Sequence, residues 1–134
     1  MRPPRSVWYS YAVIRVVPEP ARGEFLNVGV VLFARTTRFL AARIVVDRAR
    51  LCAFAPDLDL AAVERHLAAF TAVCEGGAGG GPIGQLLPSE RFHWLTAPRS
   101  TMIQTAPVHT GQCDDPTAAL NILFVGFVPQ SAVQ

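Results

Sequence analysis

The sequence EFLNVGVVLF, residues 24–33, carries large apolar side chains on both faces of an extended chain. This pattern is typical of a central strand of a sheet. Two residues depart from it. Asn27 carries an amide that needs a hydrogen-bond partner when buried, and Gly29 weakens a strand unless another group closely approaches its backbone. Either the two serve a local bulge and make room for an aromatic ring, or they line a pocket together with Glu24.

The segments on either side of this strand are also predicted to be strands. Trp8 to Val17 is rich in aromatic and β-branched residues and ends at Pro18. Phe39 to Val46 follows a polar turn that ends at Arg38. Connections this short favour antiparallel neighbours, so the three strands should form a meander. Arg15 is the charged exception within the first strand.

Two later stretches have the period of an amphipathic helix. From Asp57 to about Cys74, apolar residues recur every three or four positions, and Asp57 or Asp59 can cap the first turn. The second helix starts at Asp114-Asp115-Pro116, where proline occupies the first helical position, and its apolar face ends at Phe127. We therefore expect an α+β fold, in which an antiparallel sheet combines the meander with C-terminal strands and both helices pack on one face.

The glycine-rich stretch Gly76-Gly-Ala-Gly-Gly-Gly-Pro82 follows the first predicted helix. A phosphate-binding glycine loop needs a strand before it and a helix after it, and the nucleotide form also needs Gly-Lys-Ser/Thr. A helix precedes this run, and a proline follows it. We therefore predict a flexible linker over residues 76–82 within a single domain that spans residues 1–134.

The composition argues against several classes of protein. Half of the residues are hydrophobic and 16% are charged, which is too apolar for a disordered chain. The longest apolar run, Val28 to Ala34, is far shorter than the roughly 20 residues of a membrane span. The N-terminus has no signal-peptide pattern, and three widely spaced cysteines favour reduced thiols, so we expect a cytoplasmic protein. A net charge of +2 does not by itself predict nucleic-acid binding.

All twelve basic residues are arginine. Codon usage in a GC-rich bacterial genome explains this composition adequately. The alternative is selection for bidentate recognition of anions, which the planar guanidinium does better than the lysine ammonium.

The segment from Arg91 to Gly111, RFHWLTAPRSTMIQTAPVHTG, carries most of the polar residues that could do chemistry. Its first part, Arg91 to Thr96, alternates like a half-buried strand, and two more extended pieces are expected at Thr101 to Ala106 and at Val108-His109. Its two prolines divide it into short pieces. Polar groups on short, braced segments are typical of functional sites.

Anion binding is the chemistry that this segment favours. Arg99 lies next to the hydroxyls of Ser100 and Thr101, and arginine holds phosphate or carboxylate through charge-assisted, bidentate contacts. The predicted ligand-binding residues are Arg91, Arg99, Ser100, Gln104, His109, Thr110, Glu24 and Asn27. The alternative is that Arg91 and Arg99 are structural and tie loop carbonyls and carboxylates together.

Other chemistries have weaker support. His93, His109, Cys113 and Asp114 show no recognised ligand spacing, so neither a metal nor a cofactor is predicted. No spacing pairs a hydroxyl or thiol of this segment with a histidine as nucleophile and base. His66, on the flank of the first helix, is interpreted as an ordinary boundary residue.

Four blocks of the chain resemble a bacterial family, the domain of unknown function 3037. They are YSYAVIRVVP at residues 9–18, RGEFLNVGVVLF at 22–33, RFHWLTAPRS at 91–100 and PVHTG at 107–111. The resemblance implies a small cytosolic protein without an assigned activity, and an association with HipA-like kinases that suggests an accessory role. It places recurring polar residues of the family at Arg15, Arg22, Glu24, Asn27, Arg91, Arg99, Ser100, Gln104, His109 and Thr110.

Three functions follow as hypotheses. The first is an accessory or binding protein whose arginine-lined site holds a protein partner, such as a HipA-like kinase, or an anionic ligand. The second is a small enzyme acting on a phosphorylated or nucleotide substrate, with His109 as acid/base and Arg99 as anion clamp. The third is nucleic-acid binding, which needs one contiguous basic face with exposed aromatic residues. The enzyme hypothesis requires His109 and Arg99 to point into a shared hollow.

Overall fold

The antiparallel sheet is built around a long first strand. A computed structural model describes residues 6–130. The strands are β1 (Val7–Val16), β2 (Leu26–Ala34), β3 (Phe39–Ile44), β4 (Ile103–Thr105) and β5 (His109–Cys113). Their order is β3-β2-β1-β4, and β5 also pairs with β1. The predicted α+β class, the N-terminal meander and the C-terminal strands are confirmed.

The two C-terminal strands share one edge of β1. β4 pairs with residues 14–16 and places Gln104 opposite Arg15. β5 pairs with residues 7–11 and places His109 opposite Tyr11. The polar residues of segment 101–113 are therefore spread along the whole length of β1 instead of meeting at one point.

The helices are α1 (Arg48–Phe54), α2 (Leu60–Glu75), α3 (Gly81–Gly84), α4 (Pro88–Leu95) and α5 (Pro116–Phe127). α2 and α5 were predicted, and their aspartate caps are present: Asp59 accepts from the Ala62 amide and Asp115 from the Thr117 amide. α1 was not predicted. Asp47, the residue before α1, caps this helix by accepting from the Arg50 amide. Within residues 6–130, no helix combines the length and apolarity needed to span a bilayer.

The two predicted helices lie on opposite faces of the sheet, so the prediction that both pack on one face is wrong. α2 and α4 cover Ala12, Ile14 and Val16 of β1. α5 covers the other face, where it packs against Val30 and Leu32 of β2. The physical reason is visible in the strands: β1 and β2 are apolar on both faces, and each apolar face needs a covering layer.

The segment from Arg91 to Thr96, predicted as a strand, belongs to α4. Its buried residues are Phe92 and Leu95, which are three positions apart as on a helix. Pro88 occupies the first turn, and the Glu90 carboxylate accepts from the Leu87 amide at 3.1 Å, which satisfies a free amide at the helix start. These start signals, just upstream of the alternating residues, decide the conformation.

The glycine-rich stretch, predicted as a flexible linker, forms a 3₁₀ turn at Ala78–Gly80 and then the short helix α3. The Gly77 amide donates to the Gly84 carbonyl at 2.8 Å, which closes the stretch into a loop. At Gly29 the close approach comes from the neighbouring strand and not from an aromatic ring. A Cβ there would lie 2.6 Å from the Arg43 carbonyl oxygen. The register of β1 and β2 shifts beside this residue, so a bulge is present, but the Asn27 amide donates to the Phe127 carbonyl of α5 and not to the bulge.

Candidate ligand-binding cleft

Arg91 holds the C-terminal end of α2. Its Nη1 donates to the carbonyls of Val73 at 2.9 Å and Cys74 at 2.7 Å, and its Nε donates to the Leu86 carbonyl at 3.0 Å. The last carbonyls of a helix have no partner within the helix, and a cation is favourable at this end of the helix dipole. These contacts are those of a structural arginine, which was the alternative drawn from the sequence.

Arg99 makes a similar cap at the end of α4 but keeps free donors. Its Nη1 donates to the carbonyls of Leu95 at 3.0 Å and Ala97 at 3.4 Å, and its Nη2 donates to the Trp94 carbonyl at 2.6 Å. The guanidinium also stacks on the Trp94 ring at 4.4 Å. A guanidinium has five N–H donors. Within residues 6–130, the Nε–H and one Nη2–H of Arg99 therefore have no partner.

A cleft of about 210 Å³ opens between α2, α4 and β4, with Arg99 at its rim. Its apolar lining comes from Ala69, Phe70, Val73, Leu95 and Ile103, and the remaining lining residues are His66, Trp94, Arg99, Thr101, Gln104 and Thr105. None of these residues is acidic. An apolar floor with a few polar groups and an uncompensated cation is the usual construction of a site for a small anion.

The polar rim is held in place by hydrogen bonds to the backbone. The Thr101 hydroxyl donates to the Ile103 carbonyl at 2.9 Å, and the Gln104 amide donates to the Thr101 carbonyl at 2.9 Å. The Thr105 hydroxyl lies 3.5 Å from the Thr96 carbonyl. These contacts tie the loop between α4 and β4 to the sheet, so Arg99 projects from a braced segment.

The other predicted site residues do not join the cleft. Ser100 is exposed next to Arg99 but does not line it. Glu24 forms an exposed ion pair with Arg22 at 3.2 Å, near the start of β2. Asn27 donates to the Phe127 carbonyl at 3.0 Å, on the face that α5 covers. The structure therefore brings Arg99 and Gln104 together and separates them from the rest.

His109 and Arg99 lie on opposite faces of the sheet. The His109 ring lies 5.8 Å from that of Tyr11, which packs against the core beneath α5. Thr110, its neighbour on β5, pairs with Ser10. The hollow that these two residues were expected to share is not formed, because β4 and β5 lie end to end along β1 and α4 covers only one face.

A family model described as a protein of unknown function (DUF3037) matches residues 11–128. The chain belongs to the DUF3037 family. The resemblance seen in the four sequence blocks is thereby confirmed. The match spans α2, α4 and β4, so the whole cleft lies within the DUF3037 domain. No curated protein and no solved structure matches the chain.

Sequence reasoning missed the part that α2 contributes to this DUF3037 cleft. His66 was interpreted as a boundary residue, yet it lines the cleft together with Phe70 and Val73. The three residues are four and three positions apart, so they share one face of the helix. That spacing was a usable signal, but only the fold shows that this face meets β4.

Two thiols of the DUF3037 domain, Cys74 and Cys113, are not activated nucleophiles. Burial raises the pKa of Cys74 to about 12, although the Arg91 guanidinium lowers it in part. Burial, together with the nearby carboxylates of Asp115 and Asp114, also raises the pKa of Cys113. A raised pKa reduces the thiolate, which is the reactive form. Across the described residues, no three histidine, cysteine or acidic side chains come together as metal ligands would.

Proposed function

We propose that this DUF3037 protein is a non-catalytic binding protein that holds a small amphipathic anion in the cleft. The apolar body of the ligand lies on Phe70, Val73 and Ile103, and its anionic head binds Arg99. One observation supports this most directly. Within residues 6–130, a guanidinium already fixed by three carbonyls and the Trp94 ring has two free N–H groups at the rim of an apolar cleft whose lining residues include no acid.

The dimensions favour a ligand about the size of one ring. The cleft volume of about 210 Å³ is below the range of roughly 300–1,000 Å³ that drug-sized ligands occupy. Hydrogen bonds to charged groups contribute about 1.5–3 kcal/mol each. Because the carbonyls of Trp94 and Leu95 already hold Arg99, little side-chain entropy is lost when an anion binds.

The groups around the cleft favour binding over catalysis. The hydroxyl of Thr101 already donates to a carbonyl, and His66 is exposed on α2. Catalysis by acid/base or nucleophilic groups needs two such side chains within hydrogen-bond reach of a common point. Arg99 and His66 instead suit recognition, Arg99 as a cation and His66 as a hydrogen-bonding group.

Benzoate and benzamide, which differ in charge but hardly in shape, test this proposal. The cleft contains Trp94, so ligand binding should change its fluorescence. Trp8, the other tryptophan, is exposed on β1 and is removed by working in a Trp8→Phe background. We expect a saturable change with benzoate and an affinity for benzamide about tenfold weaker, since benzamide cannot accept charge-assisted bonds from Arg99.

Three variants separate the contributions of charge and cavity. Arg99→Met should abolish the preference for benzoate, and Ala69→Phe should block both ligands by filling the cleft from an exposed helix position. Arg43→Met is the matched control, because Arg43 also stacks on an aromatic ring but lies on the other face of the sheet. Circular dichroism confirms that each variant is folded. Equal affinity for the two ligands, or binding that survives Ala69→Phe, would contradict the proposal.

Binding of a protein partner is a second candidate, and the outer face of α5 favours it. Ile122 is 72% exposed and Val125 61% exposed on a helix that has no charged residue from Pro116 to Phe127. Exposed apolar stripes of this kind are typical of interaction sites. The HipA-like kinase implied by the family resemblance is the partner to test by calorimetry, with Ile122→Lys expected to abolish binding and Arg99→Met to leave it unchanged.

A further inference from the structure

Another cleft, also of about 210 Å³, lies between the turn that joins β2 to β3 and the start of α4. We call it the turn cleft. None of its lining residues belongs to the cleft at Arg99, and none is acidic. They are Phe33, Arg35, Arg38, Leu87, Pro88 and Ser89. Two cations and an apolar wall therefore meet at a place that the proposed function does not use.

The two arginines of the turn cleft keep their donors free. Both are exposed, and across residues 6–130 neither guanidinium makes a hydrogen bond or an ion pair. Arg91 and Arg99, by contrast, each donate to three backbone carbonyls. A guanidinium has five N–H donors, so Arg35 and Arg38 can both hold an anion in bidentate contacts without giving up a bond within the protein.

The backbone at Arg38 favours a role for its side chain. Arg38 has a φ of 52°, in the left-handed region that glycine and asparagine adopt more readily than arginine does. Its amide donates to the Arg35 carbonyl at 3.1 Å and closes the turn that carries both arginines. Glycine would form this turn more easily, so the turn itself does not require an arginine here.

α4 adds a hydroxyl group to the lining of the turn cleft. Within the described chain, the half-buried Ser89 side chain makes no hydrogen bond. The Glu90 carboxylate, from the same turn of α4, already accepts from the Leu87 amide and does not line the cleft. The donors available to an anion are therefore two guanidinium groups and one hydroxyl. This set matches a doubly charged oxyanion better than a carboxylate.

We propose that the turn cleft binds the phosphate group of a phosphate monoester whose organic part is a small apolar ring. The phosphate oxygens accept from Arg35, Arg38 and Ser89. The ring lies on Phe33 and on Leu87, which is 64% exposed. This chemistry has two sources, a free small-molecule phosphate and a phosphorylated side chain of a peptide.

Phenyl phosphate and phenyl sulfate test the proposal on the wild-type protein. They have nearly the same shape, but at pH 8 the phosphate carries close to two negative charges, because its second pKa is about 6. Nuclear magnetic resonance of the backbone amides of Arg35, Arg38 and Ser89 locates the binding. We expect saturable shifts with phenyl phosphate, at an affinity about threefold to tenfold higher than that of phenyl sulfate.

The source of the phosphate is identified with N-acetyl-phosphotyrosine amide, which carries the same aryl phosphate on a peptide backbone. Tighter binding of this compound than of phenyl phosphate identifies a phosphorylated side chain, and weaker binding identifies a free phosphate ester.

Variants test the role of each arginine. Arg35→Gln and Arg38→Gly should each weaken phenyl phosphate binding about threefold to fivefold, as expected for exposed ion pairs, and the double variant should lose the preference over phenyl sulfate. Because glycine suits the backbone at position 38, Arg38→Gly should unfold at no lower temperature than the wild type, which separates lost binding from lost folding. Arg65→Gln is the matched control, since Arg65 is exposed on α2 and lines neither cleft.

Arg99→Met distinguishes this proposal from the proposed function, because it should leave the shifts at Arg35, Arg38 and Ser89 unchanged. Amides that do not move at millimolar phenyl phosphate overturn the proposal. Equal affinities for phenyl phosphate and phenyl sulfate, or a double variant that binds phenyl phosphate like the wild type, overturn it as well.

Discussion

Replacement of Arg91 by methionine tests whether this arginine is structural or binds a ligand. The variant keeps most of the aliphatic stem but removes three hydrogen bonds to the carbonyls of Val73, Cys74 and Leu86. The first two contacts are partly buried, so water replaces them poorly. At about 1.5 kcal/mol each, their loss should lower the free energy of unfolding by about 3 kcal/mol. A domain is typically stable by about 5–15 kcal/mol, so this loss is easily measured.

Urea unfolding followed by circular dichroism measures the effect. With m values of about 1–3 kcal/mol per molar, the midpoint should fall by roughly 1–3 M. Arg48→Met is the matched control: Arg48 pairs with Glu64 at 2.7 Å, but its side chain is 67% exposed, so the expected loss is below about 1 kcal/mol. Arg91→Lys should fall between the two. If Arg91→Met is no less stable than Arg48→Met, the capping role is refuted and Arg91 becomes a candidate ligand contact again.

Two further predictions concern close packing and burial. Gly29→Ala places a Cβ 2.6 Å from the Arg43 carbonyl oxygen and should cost about 3 kcal/mol. Gly126→Ala, in helix α5, would place a Cβ with no described atom within 4 Å and should stabilise the protein by up to about 1 kcal/mol. Thermal unfolding shifts of the same sign for the two variants would contradict this comparison. Burial raises the Cys74 pKa from 9.0 to about 12, so between these pH values the folded state keeps a proton that the unfolded state loses. The free energy of unfolding should therefore fall as the pH rises through this range, by at most about 1.4 kcal/mol per pH unit. Cys74→Ala should flatten that slope, and parallel slopes for the two proteins would show that this thiol is not the titrating group.

The elements that the sequence predicted correctly have strong local signals. β1 and β2 are long runs of β-branched and aromatic residues closed by turns, and each run is longer than the average strand. α2 and α5 combine a helical period with an aspartate that caps the first turn. In each case one short stretch of sequence carries both the spacing of apolar residues and the residue that ends or begins the element. Local sequence therefore determines the conformation with little influence from tertiary contacts.

α4 shows why short elements are harder. Over six residues, Phe92, Trp94 and Thr96 alternate as in a strand, while Phe92 and Leu95 are spaced as in a helix. Both periods fit so short a window. The conformation is decided by Pro88 and Glu90, which lie outside the alternating residues.

The site was harder still to predict, because its residues come from distant parts of the chain. Arg99 was correctly selected as a polar residue of interest, but Phe70 of α2 forms the cleft with Ile103 of β4. His109 is only ten positions from Arg99, but β5 continues along the edge of β1 beyond β4 in the same direction, and the His109 ring lies against Tyr11. Two polar residues that are close in the sequence therefore need not point into one site when they belong to strands such as β4 and β5, which pair with different parts of β1.

The abundance of arginine does not by itself indicate anion binding, because several of these side chains use donors within the protein. Arg91 uses its donors on helix-end carbonyls, and Arg43 uses a donor on Asn121. Lysine could not replace them, because it lacks a planar group that both stacks and donates in several directions. Sites for anions are located by the donors that remain free. Within residues 6–130, Arg99 donates to three carbonyls and still offers two N–H groups beside an apolar cleft, so anion binding should be tested first at this arginine.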